Sequence, residues 1–154
     1  MQSRGYDGPV TPTIEDALVV ALEAHRGQWY PAPRPEPFIL HPLRVMLMVR
    51  SPIAQVLALL HDVVEDSTIS LRDLADKGFD KSTLHAVDCL SRRTGEAYAD
   101  YIRRVASDRL AREVKLADLA DNLANNRALP ATADNLARIA RYEHAQRVLG
   151  PDPG

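Results

Sequence analysis

An apolar run that ends in acid constrains this chain more than any other stretch. Residues 53 to 60, Ile-Ala-Gln-Val-Leu-Ala-Leu-Leu, are followed directly by His61-Asp62-Val63-Val64-Glu65-Asp66. Pro52 is suited to a first helical position, with Ser51 as the cap. The spacing predicts one helix from Pro52 to about Asp66. Ile53, Val56, Leu57, Leu60 and Val63 form a stripe, and Ala54, Ala58 and Leu59 are apolar as well. A helix apolar on nearly all sides belongs in the middle of a bundle. Its end then carries an imidazole and three carboxylates, and no Lys or Arg occurs between Arg50 and Arg72 to neutralise them. On a continuous helix, His61 and Glu65 are i,i+4 neighbours, and so are Asp62 and Asp66. Burying such groups is costly without a partner. A solvent-facing polar turn would suit Glu65 and Asp66, but acids oppose the helix dipole at a C-terminus. A metal ion with a water answers the whole string more economically.

The remaining elements read in the same way. Residues 1–12, with Gly5, Gly8, Pro9 and Pro12, read as a loose arm. Thr13, with Asp16 three residues on, starts a helix that Gly27 ends. The alternate prolines from Pro31 to Pro37 exclude helix and favour an extended path. His41-Pro42 opens a buried helix rich in Leu, Val and Met. Ser70 and Asp80 cap two further helices, ending at Gly78 and about Leu90. A break at Thr94-Gly95 precedes a helix from about Glu96 to Ala106. Asp108 caps a long helix, Pro130 marks a loop, and a last helix runs from about Ala133 to Leu149. No strand is expected. The reading is an all-α, compact bundle of roughly seven or eight helices over residues 13–149, with a tail at 150–154.

Composition bounds the partners. The formal net charge is -2, which argues against nucleic acid as the main partner. The single cysteine, Cys89, excludes an internal disulfide framework and a thiolate metal cluster. No stretch reads as a signal peptide or a membrane span, so a cytoplasmic setting is expected. Oligomeric state has no signature in the sequence.

Four places offer ligands: His41, the pair His61-Asp62, and Asp118. Two imidazoles and two carboxylates suit Mn, Fe, Zn or Ni, with Mg not excluded, and leave positions for water and substrate. Asn122 lies four residues after Asp118 on the same helix face. Asp121 is read as a solvated helix acid ahead of a partner that supports a metal ligand from behind, His25 as a hydrogen-bonded structural histidine ahead of a ligand, and Cys89 as a small core residue. His85 and His144 are read as surface residues. Arg92-Arg93 and Arg103-Arg104 are read as solvated helix ends, with help in binding an anion as the alternative for one of them.

This order of blocks resembles the HD phosphohydrolase superfamily, whose signature is H…HD…D. More narrowly it is similar to the hydrolase domain of RelA/SpoT proteins, the small alarmone hydrolases and the metazoan SpoT homologue. The matching stretches are residues 24–28 (AHRGQ), 39–43 (ILHPL), 59–66 (LLHDVVED) and 114–118 (VKLAD). The resemblance implies that His41, His61, Asp62 and Asp118 hold one divalent metal, usually Mn. It implies that Glu65 and Asp66 orient and deprotonate a water or manage the leaving group's proton. It further implies that Asn122 contacts a nucleotide sugar and Arg138 lies near substrate phosphates. The implied activity is metal-dependent removal of the 3′-pyrophosphate of ppGpp or pppGpp. The alternatives are another small phosphorylated metabolite, such as NADPH or a nucleoside monophosphate, and a non-catalytic nucleotide-binding regulator. The family has a basic pair soon after its first block; here Tyr30-Pro31 stand in its place. The Trp29-Tyr30 pair is read as loop packing ahead of base stacking.

Overall fold

The computed structural model describes residues 12–30 and 35–150. The expected arm and tail lie almost wholly outside the described residues, as does most of the proline segment. The chain builds α1 (Ile14–Ala24), a short antiparallel pair of β1 (Trp29–Tyr30) and β2 (Glu36–Pro37), then α2 (Leu40–Met48) and α3 (Pro52–Leu60). It continues with α4 (Val63–Asp66), α5 (Leu71–Asp76), α6 (Lys81–Leu90), α7 (Tyr98–Ala106), α8 (Arg109–Ala128) and α9 (Ala133–Leu149). The fold is an all-α bundle, as the sequence implied.

Local chemistry sets most helix starts. Thr13 and Asp16 cap α1 reciprocally, and Ser70 and Asp73 do the same for α5. Ser51, Asp80, Asp108 and Thr132 each accept a backbone N–H three residues on. Such a cap contributes about 1 kcal/mol. Gly27 turns the chain out of α1 at φ +77°, a conformation that glycine adopts without strain.

α3 is the central helix. Ala54 and every residue from Val56 to Leu60 are buried, and α1, α2 and α8 pack around it. Replacing Leu57, which has no exposure, with Ala would cost about 2–5 kcal/mol, because the surrounding helices cannot collapse into the gap.

Three expectations need correction. First, the helix from Pro52 does not continue to Asp66. It stops at Leu60, His61-Asp62 form a turn, and α4 is a separate single turn. His61 Nδ1 donates to the Ala58 carbonyl at 2.6 Å, one of the last carbonyls that a helix leaves free. Second, α2 starts at Leu40, so His41 and Pro42 lie inside its first turn rather than at its mouth. Proline is tolerated there because the first-turn N–H groups have no intrahelical partner. Third, the proline segment is flanked by a minimal β ladder, Trp29 paired with Pro37 and Tyr30 with Glu36.

Candidate metal centre and cleft

The break after α3 brings His61 and Asp62 to the first turn of α2 and the middle of α8. His41 Nε2 lies 3.0 Å from Asp118 Oδ1 and 3.5 Å from Asp62 Oδ2. His61 Nε2 lies 3.0 Å from Asp62 Oδ2 and 3.6 Å from Asp118 Oδ1. Both imidazoles and Asp118 are buried, and Asp62 is nearly so.

The outer nitrogen of each imidazole identifies what the inner one needs. His61 Nδ1 is committed to the Ala58 carbonyl, and His41 Nδ1 to Asp121 Oδ2 at 2.7 Å. With those nitrogens donating, each Nε2 presents a lone pair towards carboxylate oxygens. Lone pair against lone pair is repulsive unless a cation lies between. Among the described residues, His61 Nε2 is buried without a hydrogen-bond partner. The donor set therefore fits a divalent cation, and His41, His61 and Asp62 alone place three ligand atoms within 4.8 Å of one another.

The same carboxylates favour protons on the imidazoles. Burial pushes both down, but Asp118 and Asp121 outweigh it at His41, with Asp62 adding to them, and Asp62 and Asp118 hold His61 well above its ordinary value. Burial pushes Asp118 up, yet Lys115 and the imidazoles hold it well below the usual carboxylate range. Lys115 Nζ lies 2.7 Å from Asp118 Oδ2, inside the protein.

Glu65 and Asp66 stand at the rim of the same cleft, exposed on one side and crowded on the other. Glu65 accepts the Arg92 backbone N–H at 2.8 Å. Its carboxyl is raised by burial, with Asp62 adding to the effect. Asp66 is pushed up to about 6 by burial, then by the charges of Asp62 and Glu65. Gln28, from the end of the first block, donates to the Asp66 carbonyl at 2.7 Å and so ties this turn to α1.

The cleft has a volume of about 290 Å³. Its lining also includes Arg92, Tyr98, Lys115, Arg141 and Tyr142. Arg92 and Arg141 flank the Tyr98 ring, with their guanidinium carbons 5.7 and 5.1 Å from its centre.

The structure thus brings together His41, His61, Asp62, Glu65, Asp66, Asp118 and Asn122. Asn122 is spoken for: Nδ2 donates to Asp118 and Oδ1 accepts the Tyr30 hydroxyl at 2.6 Å. Arg138 is exposed on α9 and is not among the residues lining the cleft; Arg141 and Tyr142, one turn on, are. Tyr30 is buried and stacks on His41, with ring centres 4.8 Å apart and planes 16° apart, while Trp29 faces outward.

Asp121 corrects the sequence reading. It is a buried acid holding His41 and Arg44 rather than a solvated one. Its place three residues after Asp118, on the same helix face, was the available signal. Arg104 is also no solvated helix end: it ties the α6–α7 loop through Glu96 and the Ser91 carbonyl. His25 is buried, with Nδ1 2.9 Å from Gln28 Oε1, and Cys89 is buried. His85 and His144 are exposed.

No family model matches the chain. The chain is 33% identical over 147 residues to the guanosine-3′,5′-bis(diphosphate) 3′-pyrophosphohydrolase of Vibrio cholerae. That match covers 86% of this chain and 20% of the relative, so the chain spans about a fifth of the curated relative's length. Among solved structures, it is similar to a metazoan ortholog of SpoT described as hydrolysing ppGpp and playing a role in starvation responses. The TM-score is 0.76 at 23% identity, over 96% of this chain and 89% of that one.

Proposed function

We propose that this chain, which shares its fold with a SpoT ortholog, is a metal-dependent nucleotide phosphohydrolase of the (p)ppGpp 3′-pyrophosphohydrolase kind. The observation that carries the proposal is the convergence of His41 Nε2 and His61 Nε2 on Asp118 and Asp62, each at 3.0 Å, with Glu65 and Asp66 lining the same cleft. The sequence match to a 3′-pyrophosphohydrolase supports the choice of reaction.

A divalent cation at this site, Mn being the first choice, would acidify water and stabilise charge developing on phosphoryl oxygens. His41, His61, Asp62 and Asp118 would hold it. Glu65 and Asp66 then orient the attacking water and move protons at the rim. Water adds to the phosphorus next to the 3′ oxygen. The bond from that phosphorus to the 3′ oxygen breaks, pyrophosphate leaves, and the 3′ oxygen takes a proton. Arg92 and Arg141 supply exposed positive charge for the phosphates, while Tyr98 and Tyr142 offer faces to a base or sugar. Asn122 is proposed to meet the sugar after releasing the Tyr30 hydroxyl. Arg138 is proposed to reach the outer phosphates from the surface of α9. Such a substrate fits a cytoplasmic setting.

One feature favours a second substrate within the same chemistry. Tyr30 occupies the place of the family's basic pair, and nearby Arg44 is consumed by Asp121 and Glu36. A less highly charged substrate, NADPH or a nucleoside monophosphate, demands fewer cations on that wall. The test is phosphate and pyrophosphate release from ppGpp, pppGpp, NADPH and nucleoside monophosphates, in Mn and in EDTA. Mn-dependent pyrophosphate release from ppGpp is expected. Release from another member alone would move the substrate and keep the site. No release from any member, with Mn bound, would overturn the enzymatic reading.

A further inference from the structure

The two metal-facing histidines are held differently. His61 is backed by a neutral backbone carbonyl. His41 is backed by the buried carboxylate of Asp121, and that carboxylate is not free. Arg44 grips it twice, Nε at 2.6 Å from Oδ1 and Nη2 at 3.1 Å from Oδ2. The same guanidinium extends Nη1 to Glu36 of β2 at 2.5 Å. Asn125 Nδ2 adds a hydrogen bond at 3.0 Å to the Asp121 backbone carbonyl and a longer one, at 3.4 Å, to its carboxylate. From the other side, β1 supplies Tyr30, whose ring covers His41 and lies 5.5 Å from the Arg44 guanidinium carbon. A continuous chain of charged contacts therefore runs from the β1–β2 hairpin through Arg44 and Asp121 to His41 Nδ1.

We propose that Asp121 is the positioning residue that sets how tightly His41 holds the cation, and that Glu36, through Arg44, couples this grip to the seating of the β1–β2 hairpin. This inference rests on the metal-dependent reading of the site. A carboxylate on the outer nitrogen fixes the ring's tautomer and orientation, and strengthens the inner nitrogen as a ligand. Arg44 is what makes that carboxylate tolerable inside the protein, because a buried acid with only an imidazole N–H for company would be poorly satisfied. Arginine is needed for its planar fork, which meets two carboxylates at once where an ammonium would meet them as a point. The consequence is directional. Whatever unseats β2 loosens Arg44, then Asp121, then His41, with no direct contact to Asp62, His61 or Asp118; the separate route from β1, Tyr30 to Asn122 to Asp118, is left intact by a change at Glu36 alone.

The test is Mn binding to metal-free protein by titration calorimetry, with the Co absorption spectrum as a second readout of the ligand field. Asp121→Asn keeps the shape and removes the charge. It is expected to weaken Mn binding about 10–100-fold and to shift the Co bands. Glu36→Gln touches no ligand and lies on a half-buried strand end, so it should fold. It is expected to weaken Mn binding severalfold while the melting temperature of the metal-free protein stays unchanged. Arg44→Lys should fall between the two. Affinity within twofold of wild type in Asp121→Asn, with the Co bands in place, overturns the role of Asp121. Wild-type affinity in Glu36→Gln overturns the coupling to the hairpin. Absence of Mn and Co binding in the wild-type protein would overturn the metal reading itself, a result distinct from either.

Discussion

Asp66 is the residue whose chemistry is most exposed to test. Its carboxyl is pushed up to about 6 by burial and by Asp62 and Glu65. If it works ionised, activity is full above that value and falls as pH drops through it; if it works protonated, activity falls as pH rises through it. The proposed role as base predicts an acidic limb in kcat/KM. The cation opposite stabilises the ionised form, so the limb in the loaded protein lies at or below pH 6. Asp66→Asn is expected to remove the limb and lower kcat by about 10²–10⁴. A pH–rate profile of the Asn variant that retains the limb would assign it elsewhere. Legibility at this scale divides cleanly. His61 and Asp62 stand at the end of an apolar run, where an imidazole and an acid have no ordinary purpose, whereas His41 and Asp118 stand out through the family resemblance. Asp121 looks like any helix acid, because what surrounds it comes from Arg44 and His41, 77 and 80 residues away.

At the level of elements, helix starts were legible because caps are local. Thr13, Ser51, Ser70, Asp80 and Asp108 each meet a backbone N–H three residues on, whatever the rest of the fold does. The break at His61-Asp62 was not legible. No Gly or Pro marks it, and Val63-Val64 continue the apolar pattern across it. The turn keeps both residues in the right-handed helical region, so no residue preference signals it. The loop between α6 and α7 shows how an element outside the donor set bears on the site. Arg104 donates to the Glu96 carboxylate and the Ser91 carbonyl, closing a loop whose Arg92 N–H holds Glu65. Arg104→Met would strip the Ser91 carbonyl of this donor and leave the Glu96 carboxylate to the Arg93 N–H, at a cost of about 1–3 kcal/mol. It should also lower kcat through Glu65. Urea midpoints and steady-state rates measured on one variant check both, and reduced stability with an unchanged kcat would show that the loop does not position Glu65.

The whole molecule should report cation binding as stability, with a defined pH dependence. In the metal-free protein His41 is raised above its ordinary value by Asp118 and Asp121, and His61 by Asp62 and Asp118, against burial in both cases. The stabilisation from those protons is complete below about pH 6.5, the unfolded value. It is lost as pH rises through the raised folded values. A cation competes with the same protons, so its affinity rises with pH. The gap in melting temperature between Mn and EDTA is therefore expected to widen from pH 6 to pH 8. It should correspond to about 2.7 kcal/mol once Mn exceeds its dissociation constant a hundredfold. A gap that narrows with pH would mean that the imidazoles are not the ligands.

The donors converging on this centre come from the first turn of α2, the break after α3 and the middle of α8. His41 and its partner Asp121 are 80 residues apart. The chain has a single cysteine and cannot close an internal disulfide. A bound cation would therefore act as the cross-link this sequence otherwise lacks, closing a long loop and restricting the unfolded ensemble as a covalent bridge does. Such a tie would be reversible on the timescale of metal exchange, and it would add to the His41–Asp121 and Arg44–Asp121 contacts that already join α2 to α8.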